Sequence, residues 1–218
     1  MTMPAIRHTP LFHLHEQAGA SLMEHHGWRV PAYFTFAQKE AEQLSKKAGL
    51  GDLSWMTKLD LKGWGLKTPP SVNDGRAWSL GPSHYLVTCQ PPKRDAITAN
   101  LLSSPAASDL SLPPPVYITD VTSVYAQFLL AGPRSRDILR KLTSLNVSAL
   151  ENLACGQASL AHANSKVLRD DFQGFPAFHI LVSREYGVSV WEAILHAGHE
   201  FELAPFGLKA LEFLGGAA

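Results

Sequence analysis

Four histidines fall within the first 26 residues: His13, His15, His25 and His26. Imidazole is a common metal ligand, but a zinc site needs convergent geometry and a further ligand that this spacing does not supply. They read as surface or hydrogen-bonded histidines, and no metal is expected. The two cysteines, Cys89 and Cys155, lie far apart and form no CxxC pair. They build neither a disulfide framework nor a zinc site, and they suit a reducing cytoplasm. The chain has no phosphate-binding glycine loop, no GxSxG and no HExxH. His196-Ala197-Gly198-His199 falls at a helix end, where imidazoles satisfy carbonyls. The remaining stretch with chemical content is Asp52-Leu53-Ser54-Trp55-Met56. Asp52 and Ser54 can tie down backbone amides at a turn. Met beside Trp is polarizable and apolar, which suits a flat heteroaromatic ligand and suits a core equally well.

The elements around that stretch follow from spacing. Ala37, Ala41, Leu44 and Ala48 repeat at helical intervals, and Gly49 can take the left-handed conformation that ends a helix. Beyond the turn, Leu59 and Leu61 alternate with Lys58, Asp60 and Lys62, a strand with one wet face. Upstream, Thr9 as N-cap and Pro10 at the first helical position predict a short helix. Arg76–Leu80 and His84–Cys89 read as strands around the Gly81-Pro82 turn, followed by a helix from about Pro92 to Leu102. The connection from 103 to 115 is rich in Ser and Pro, a semi-rigid linker.

The second half echoes the first. Asp120-Val121-Thr122 matches Asp52-Leu53-Ser54, and Gln127-Phe128-Leu129-Leu130 leading to Gly132 matches Lys58-Leu59-Asp60-Leu61 leading to Gly63. The spacing differs by one residue, but the order of elements and the dipeptide Gly132-Pro133 favour duplication over coincidence. Gly132-Pro133-Arg134 opens a helix with Ile138, Leu139 and Leu142 on its apolar face. Gln157–Ala163, Lys166–Arg169 and Ala177–Val182 read as strands. A helix from about Arg184 to Ala197 turns Val188, Trp191, Ile194 and Leu195 inward and stops at Gly198.

Lys plus Arg and Asp plus Glu both total 19, so no broad basic field is available to hold nucleic acid. Charged residues at 17% and hydrophobic residues at 45% describe an ordinary soluble globule. The first eight residues lack an apolar core, so no signal peptide is expected, and no apolar run is long enough to span a bilayer.

The run Ala48-Gly49-Leu50-Gly51-Asp52-Leu53-Ser54-Trp55-Met56-Thr57-Lys58 resembles A-G-L-F-D-V-S-H-M-x-K of the aminomethyltransferase family, the T-protein of the glycine cleavage system. Gly27, Trp28, Pro31, Tyr33 and Phe34 hold matching places in the family's amino-terminal run. The segment to Gly132-Pro133 and the segment Glu200–Leu208 resemble two further family motifs. Asp74-Gly75 followed by Leu80-Gly81-Pro82 and Leu86-Val87 is similar to the gamma subunit of heterotetrameric sarcosine oxidase, which has a comparably short first half. Ala154-Cys155-Gly156-Gln157 recovers only fragments of the K-G-C-Y-x-G-Q-E motif of a related folate-dependent tRNA-modification or iron–sulfur-repair group.

The resemblance implies an α+β fold: one folate-binding domain over 1–218, built of two intertwined β-β-α-β-like halves, about 1–103 and 116–218, without the family's C-terminal β-barrel. It implies tetrahydrofolate as the cofactor, with Met56 and His179 at cofactor-binding positions. Asp74 falls where the family places the carboxylate that orients the folate amine, although Asn73-Asp74-Gly75 is also an ordinary type I′ turn sequence. His179 stands where the family has a glutamate, and Leu211 where it has an arginine. The expected function is therefore weak folate binding in glycine/sarcosine one-carbon metabolism, with weak or no aminomethyl transfer. The alternative is a non-catalytic gamma-like subunit of a heteromeric sarcosine-type oxidase. The expected partners are the folate ligand and either a larger protein or a second copy in a homo-oligomer, with no nucleic acid and no membrane. The expected location is cytoplasmic.

Overall fold

The computed structural model describes residues 5–63, 66, 68–102 and 116–215. In chain order the elements are β1 (Arg7–His8), α1 (Phe12–Gln17), β2 (Ser21–His25), β3 (Trp28–Tyr33), α2 (Ala37–Lys46), β4 (Gly49–Asp52), β5 (Thr57–Lys62), β6 (Gly75–Gly81), β7 (His84–Cys89) and α3 (Arg94–Leu102). They continue with β8 (Tyr117–Asp120), β9 (Tyr125–Ala131), α4 (Ser135–Arg140), β10 (Cys155–Leu160), β11 (Ala163–Arg169), β12 (Ala177–Ser183), α5 (Gly187–Gly198), β13 (Ala204–Phe206) and α6 (Leu208–Phe213). The architecture is mixed α/β. Two compact units divide it: Met1–Trp55 with Tyr125–Ala218, and Met56–Val124. The Ser/Pro-rich connection at 103–115 lies outside the described residues.

In the first unit a six-stranded sheet runs β10-β11-β12-β9-β4-β13. Its pairs are antiparallel except β13 on β4. Period-two alternation sends Ala126, Phe128 and Leu130 of β9 and Phe178, Ile180 and Val182 of β12 to one face. There they pack with Leu11, Ile138, Leu139, Val190, Trp191 and Ile194 in one apolar core. A smaller sheet, β1-β3-β2, completes this unit. In the second unit a four-stranded antiparallel sheet runs β6-β7-β5-β8. Leu59, Leu61, Tyr85 and Val87 form its core with Ile97 and Leu101 of α3.

Each Asp-x-Ser/Thr turn clasps a strand from the other half of the sequence. Asp52 Oδ1 accepts the Ser54 N–H at 2.9 Å, and Ser54 Oγ accepts the Gln127 N–H of β9 at 3.0 Å. Likewise Asp120 Oδ1 accepts the Thr122 N–H at 2.9 Å, and Thr122 Oγ1 accepts the Lys58 N–H of β5 at 3.0 Å. Leu53 N–H donates to the Gln127 carbonyl at 2.8 Å, and Val121 N–H to the Lys58 carbonyl at 2.9 Å. The repeat read in the sequence is thus a repeat of hydrogen bonding.

Several local expectations are corrected. The first helix starts at Phe12, with Leu11 as N-cap, because Thr9 and Pro10 are used in the preceding turn. Gly49 does not end α2 in a left-handed conformation; it opens β4. Its glycine is needed for close packing, since a Cβ there would lie 2.7 Å from the Phe206 ring. Lys58 is fully buried, so the wet face of β5 is wet only toward Asp60 and Lys62. Ala163 belongs to β11 and not to the strand before it. Ala161 and His162 form the two-residue hairpin turn with φ of 47° and 66°, a geometry that ordinarily selects Asn or Gly. On α5, Val188 is exposed, and Val190 takes the inward place beside Trp191 and Ile194. Gly198 continues α5, and the chain reverses at Glu202, which has φ of 56°.

Candidate functional site

The turn Asp52–Trp55 is built from buried polar groups. Asp52 ends β4, and its second oxygen, Oδ2, lies 3.1 Å from His15 Nε2 of α1. The His15 ring is held edge-on by Phe34 and Trp191, with centroids 5.4 and 5.3 Å away. Burial pushes the Asp52 carboxyl up. The hydrogen bond and charge of His15 outweigh this together with the bonds from Ser54, and hold it below the ordinary carboxylate value. From Ser54 the bonding continues through the Gln127 backbone, and the Gln127 side-chain nitrogen meets His179 Nδ1 at 3.1 Å. A hydrogen-bonded series therefore joins α1, the turn, β9 and β12 within the first unit.

Glu40 of α2, only 4% exposed, is a second buried anchor. Its Oε1 accepts the N–H groups of Phe34 and Thr35 at 2.6 Å each, and its Oε2 accepts Gly207 N–H at 2.9 Å. The carboxylate thereby fixes the end of β3 against the start of α6. Beside it is a small crevice of about 10 Å³, lined by Val30, Pro31, Trp55, Phe206, Leu208 and Leu211 among others. Leu211 is 5% exposed and adds only apolar surface. Trp55 is buried, with His25 edge-on at 4.5 Å. Burial and neighbouring His26 lower the His25 value below that of a free imidazole, with Glu212 acting in the opposite direction.

The second unit holds Met56 and Asp74. Thr57, Cys89 and Gly75 stand in one row across β5, β7 and β6. Met56 and Asp74 each precede that row by one residue, so they share one end of the sheet, about 10 Å apart at two strand spacings. Met56 is half-buried, and its carbonyl accepts Lys58 Nζ at 2.7 Å. Asp74 sits in the turn before β6 with φ of 60°, its side chain 64% exposed and its Oδ2 2.9 Å from Lys93 Nζ. His179 is half-buried in the middle of β12, in the first unit.

Sequence reading missed His15 and Gln127 as partners of site residues, and it missed Glu40. His15 and Gln127 meet partners 37 and 52 residues away, and Glu40 reaches Gly207, 167 residues on, besides its neighbours Phe34 and Thr35; no local pattern announces the long separations. A polar residue on an apolar helical stripe, as Glu40 is beside Ala41 and Leu44, was the one available sign. Among the described residues no three His, Cys, Asp or Glu are grouped to hold a metal, and no helix is long and apolar enough to cross a membrane.

Residues 70–215 match the GCVT N-terminal domain family. Over 97% of its length the chain is 28% identical to an aminomethyltransferase of Saccharopolyspora erythraea, and over 96% it is 26% identical to that of Halothermothrix orenii. It spans 64% of the length of each of these curated relatives. The fold is similar to glycine cleavage system aminomethyltransferase T from Bartonella henselae, with a TM-score of 0.76 and 19% identity over 96% of this chain and 62% of that one. It is also similar to a chain of the heterotetrameric sarcosine oxidase from Corynebacterium sp. U-96, with a TM-score of 0.58 and 16% identity over 89% of this chain and 96% of that one. With its two Asp-x-Ser/Thr clasps and this match across two thirds of its residues, the chain belongs to the GCVT N-terminal domain family.

Proposed function

We propose that this protein binds a folate-type heterocycle, with tetrahydrofolate as the cofactor, in cytoplasmic glycine/sarcosine one-carbon metabolism, and that it transfers aminomethyl groups weakly or not at all. The observation that carries this reading is the Asp52–Ser54 turn, clasped from both ends, which delivers the chain directly into Met56. Met56 follows that turn in the chain, and its apolar, polarizable thioether suits the face of a pterin ring.

Weak turnover is supported by the polar groups. A carboxylate that orients a folate amine must be aimed and shielded from water. Asp74 is largely exposed and already engaged by Lys93. His179 offers one donor and one acceptor in place of a bidentate acceptor. Leu211 offers neither charge nor hydrogen bond. Calorimetric titration with tetrahydrofolate tests the binding: heat at micromolar to millimolar ligand is expected, and none at millimolar ligand sinks it. Methylene-tetrahydrofolate formation from an aminomethylated carrier protein tests the turnover. Near-background rates in both wild type and Asp74→Asn support the reading, and a robust wild-type rate that collapses in the variant overturns it.

A second reading is favoured by the match along 96% of one chain of the heterotetrameric sarcosine oxidase. On that reading the protein is a non-catalytic subunit of a heteromeric sarcosine-type oxidase and binds a larger protein partner. Co-purification with the other subunits of such an oxidase supports it. A monodisperse monomer by light scattering, with no oxidase subunit retained, counts against it.

A further inference from the structure

One end of the second unit's sheet carries a polar hollow. Tyr117 of β8, Lys62 of β5 and His84 of β7 stand directly opposite one another in a single row. Their side chains therefore leave the same face, the one turned away from the core of Leu59, Leu61, Tyr85 and Val87. Asp60, two residues before Lys62, shares that face. Lys62, His84 and Tyr117 line an open hollow of about 330 Å³ together with Gly63, Pro82 and Ser83. Asp60 Oδ1 lies 2.6 Å from His84 Nε2, and its Oδ2 lies 3.1 Å from Lys62 Nζ. A carboxylate only accepts, so Nε2 carries a proton and Nδ1 is the ring nitrogen left to gain or lose one. Gly63 N–H donates to the Ser83 carbonyl at 3.1 Å, which ties the β6–β7 turn to the end of β5.

We propose that this hollow binds a phosphate monoester carried on a flat ring, and that binding takes up a proton at His84 Nδ1. Both oxygens of Asp60 are engaged, so the groups left for a ligand are donors. They are the remaining N–H groups of Lys62, the Ser83 hydroxyl and, once protonated, His84 Nδ1. Three donors match the three terminal oxygens of a phosphate monoester better than the two of a carboxylate. While His84 is neutral, Nδ1 is an acceptor and opposes an oxyanion. As an imidazolium it donates, and its charge is shared between Asp60 and the phosphate. The incoming dianion therefore draws a proton from solvent onto Nδ1. Among the described residues, the titratable groups facing His84 from the neighbouring strands are Asp60 and Lys62 of β5 and Tyr117 of β8, while its partner on β6 is Gly81. Tyr117 is 57% exposed, and the hollow has room for a ring beside the phosphate and against the phenol. The row lies about 17 Å along β5 from the end of the sheet that holds Met56 and Asp74, so this site does not depend on folate binding.

The test titrates the protein with phenyl phosphate, inorganic phosphate and benzoate at about pH 7.5, where a phosphate monoester is mostly dianionic. Calorimetry in two buffers of different ionisation enthalpy counts the protons exchanged. Wild type is expected to bind phenyl phosphate about tenfold more tightly than benzoate, with net proton uptake. Nitrogen-15 NMR of His84 is expected to show Nδ1 gaining a proton as phenyl phosphate is added, a readout that needs no variant to fold. Lys62→Met is expected to weaken binding about tenfold or more. His84→Gln is expected to abolish the proton uptake, and Tyr117→Ala to bring phenyl phosphate down to the affinity of inorganic phosphate. Phenyl phosphate at millimolar concentration that leaves the His84 nitrogens unmoved overturns the proposal. So does binding without proton uptake, binding undiminished in Lys62→Met, or benzoate bound as tightly as phenyl phosphate. Tetrahydrofolate is titrated separately, so failure of either site is read without the other.

Discussion

His15 Nε2 lies 3.1 Å from Asp52 Oδ2, and neither side chain is more than 2% exposed. Removing one partner of such a pair strands the other in the core, which typically costs about 3–5 kcal/mol. His15→Leu is therefore expected to lower the urea midpoint sharply, and His15→Gln, which still donates, to lower it less. Chemical denaturation of the three proteins at neutral pH checks the order.

The same pair sets an acid limb. The folded Asp52 carboxyl is held below its ordinary value of 3.8. A depressed carboxylate contributes stability that is fully present above the unfolded value and is lost as the pH falls through the folded one. Wild type is thus expected to lose stability below pH 3.8, with a slope that Asp52→Asn reduces. Parallel slopes for the two proteins below pH 3.8 would remove Asp52 from the account.

The clasped turns show what could be read and what could not. Asp52-Leu53-Ser54 and Asp120-Val121-Thr122 are visible as an echo, because side-chain caps at turns leave a local signature. Their partners are invisible: Ser54 holds a residue 73 positions on, and Thr122 holds one 64 positions back. Lys58 fails for a related reason. Alternation shows that two faces of a strand differ, but not which part of the polar face will be covered. Lys58 is buried on the same face where Lys62 is exposed. At the candidate site, Met56, Asp74 and His179 are proposed from motifs, whereas Gln127, whose side-chain nitrogen lies 3.1 Å from His179 Nδ1, looks like any polar residue in a strand.

Cys89 is expected to be unreactive in the folded state. Its thiol is pushed up to about 11 by burial and by the charge of Asp120, and only 2% of the residue is exposed. The thiolate is the nucleophile, so near neutral pH very little of the reactive form is present. Cys155 is also pushed up by burial, with Lys166 opposing. Titration with a disulfide reagent at neutral pH should show Cys89 labelled only upon unfolding. Rapid labelling of Cys89 in native protein, located by peptide mapping, would refute this.

The Asp74–Lys93 pair is expected to contribute little to stability. Exposed ion pairs are worth about 0–1 kcal/mol, and salt screens them. Asp74→Asn keeps a side chain that tolerates φ of 60°, so its denaturation midpoint should lie within about 0.5 kcal/mol of wild type. Asp74→Val puts a β-branched residue into the same left-handed turn and should cost more, since β-branched residues are strained there. A large loss for Asn and none for Val would show that charge, and not backbone conformation, fixes the residue at this position.

Glu40 and Gly207 give the sharpest structural test. Three N–H groups, from Phe34, Thr35 and Gly207, converge on one buried carboxylate. Glu40→Gln replaces one acceptor oxygen by a donor, which must then face at least one of those N–H groups. An unpaired buried donor costs about 1–3 kcal/mol, and more when a charged partner is lost. Hydrogen exchange should report it locally, with the amides of Thr35 and Gly207 losing protection before those of the sheet core. Gly207→Ala strikes the same joint by another route. Its Cβ would lie 2.3 Å from the carbonyl carbon and oxygen of Ala32. Backbone on both sides leaves no side chain to move aside, so α6 has to shift away from β3, at a cost of about 1–3 kcal/mol or more. If Glu40 is the tie between these two segments, the double variant should lose less than the sum of the singles, because a displaced α6 has already broken the Gly207 bond. Strict additivity would mean that the two residues hold separate joints.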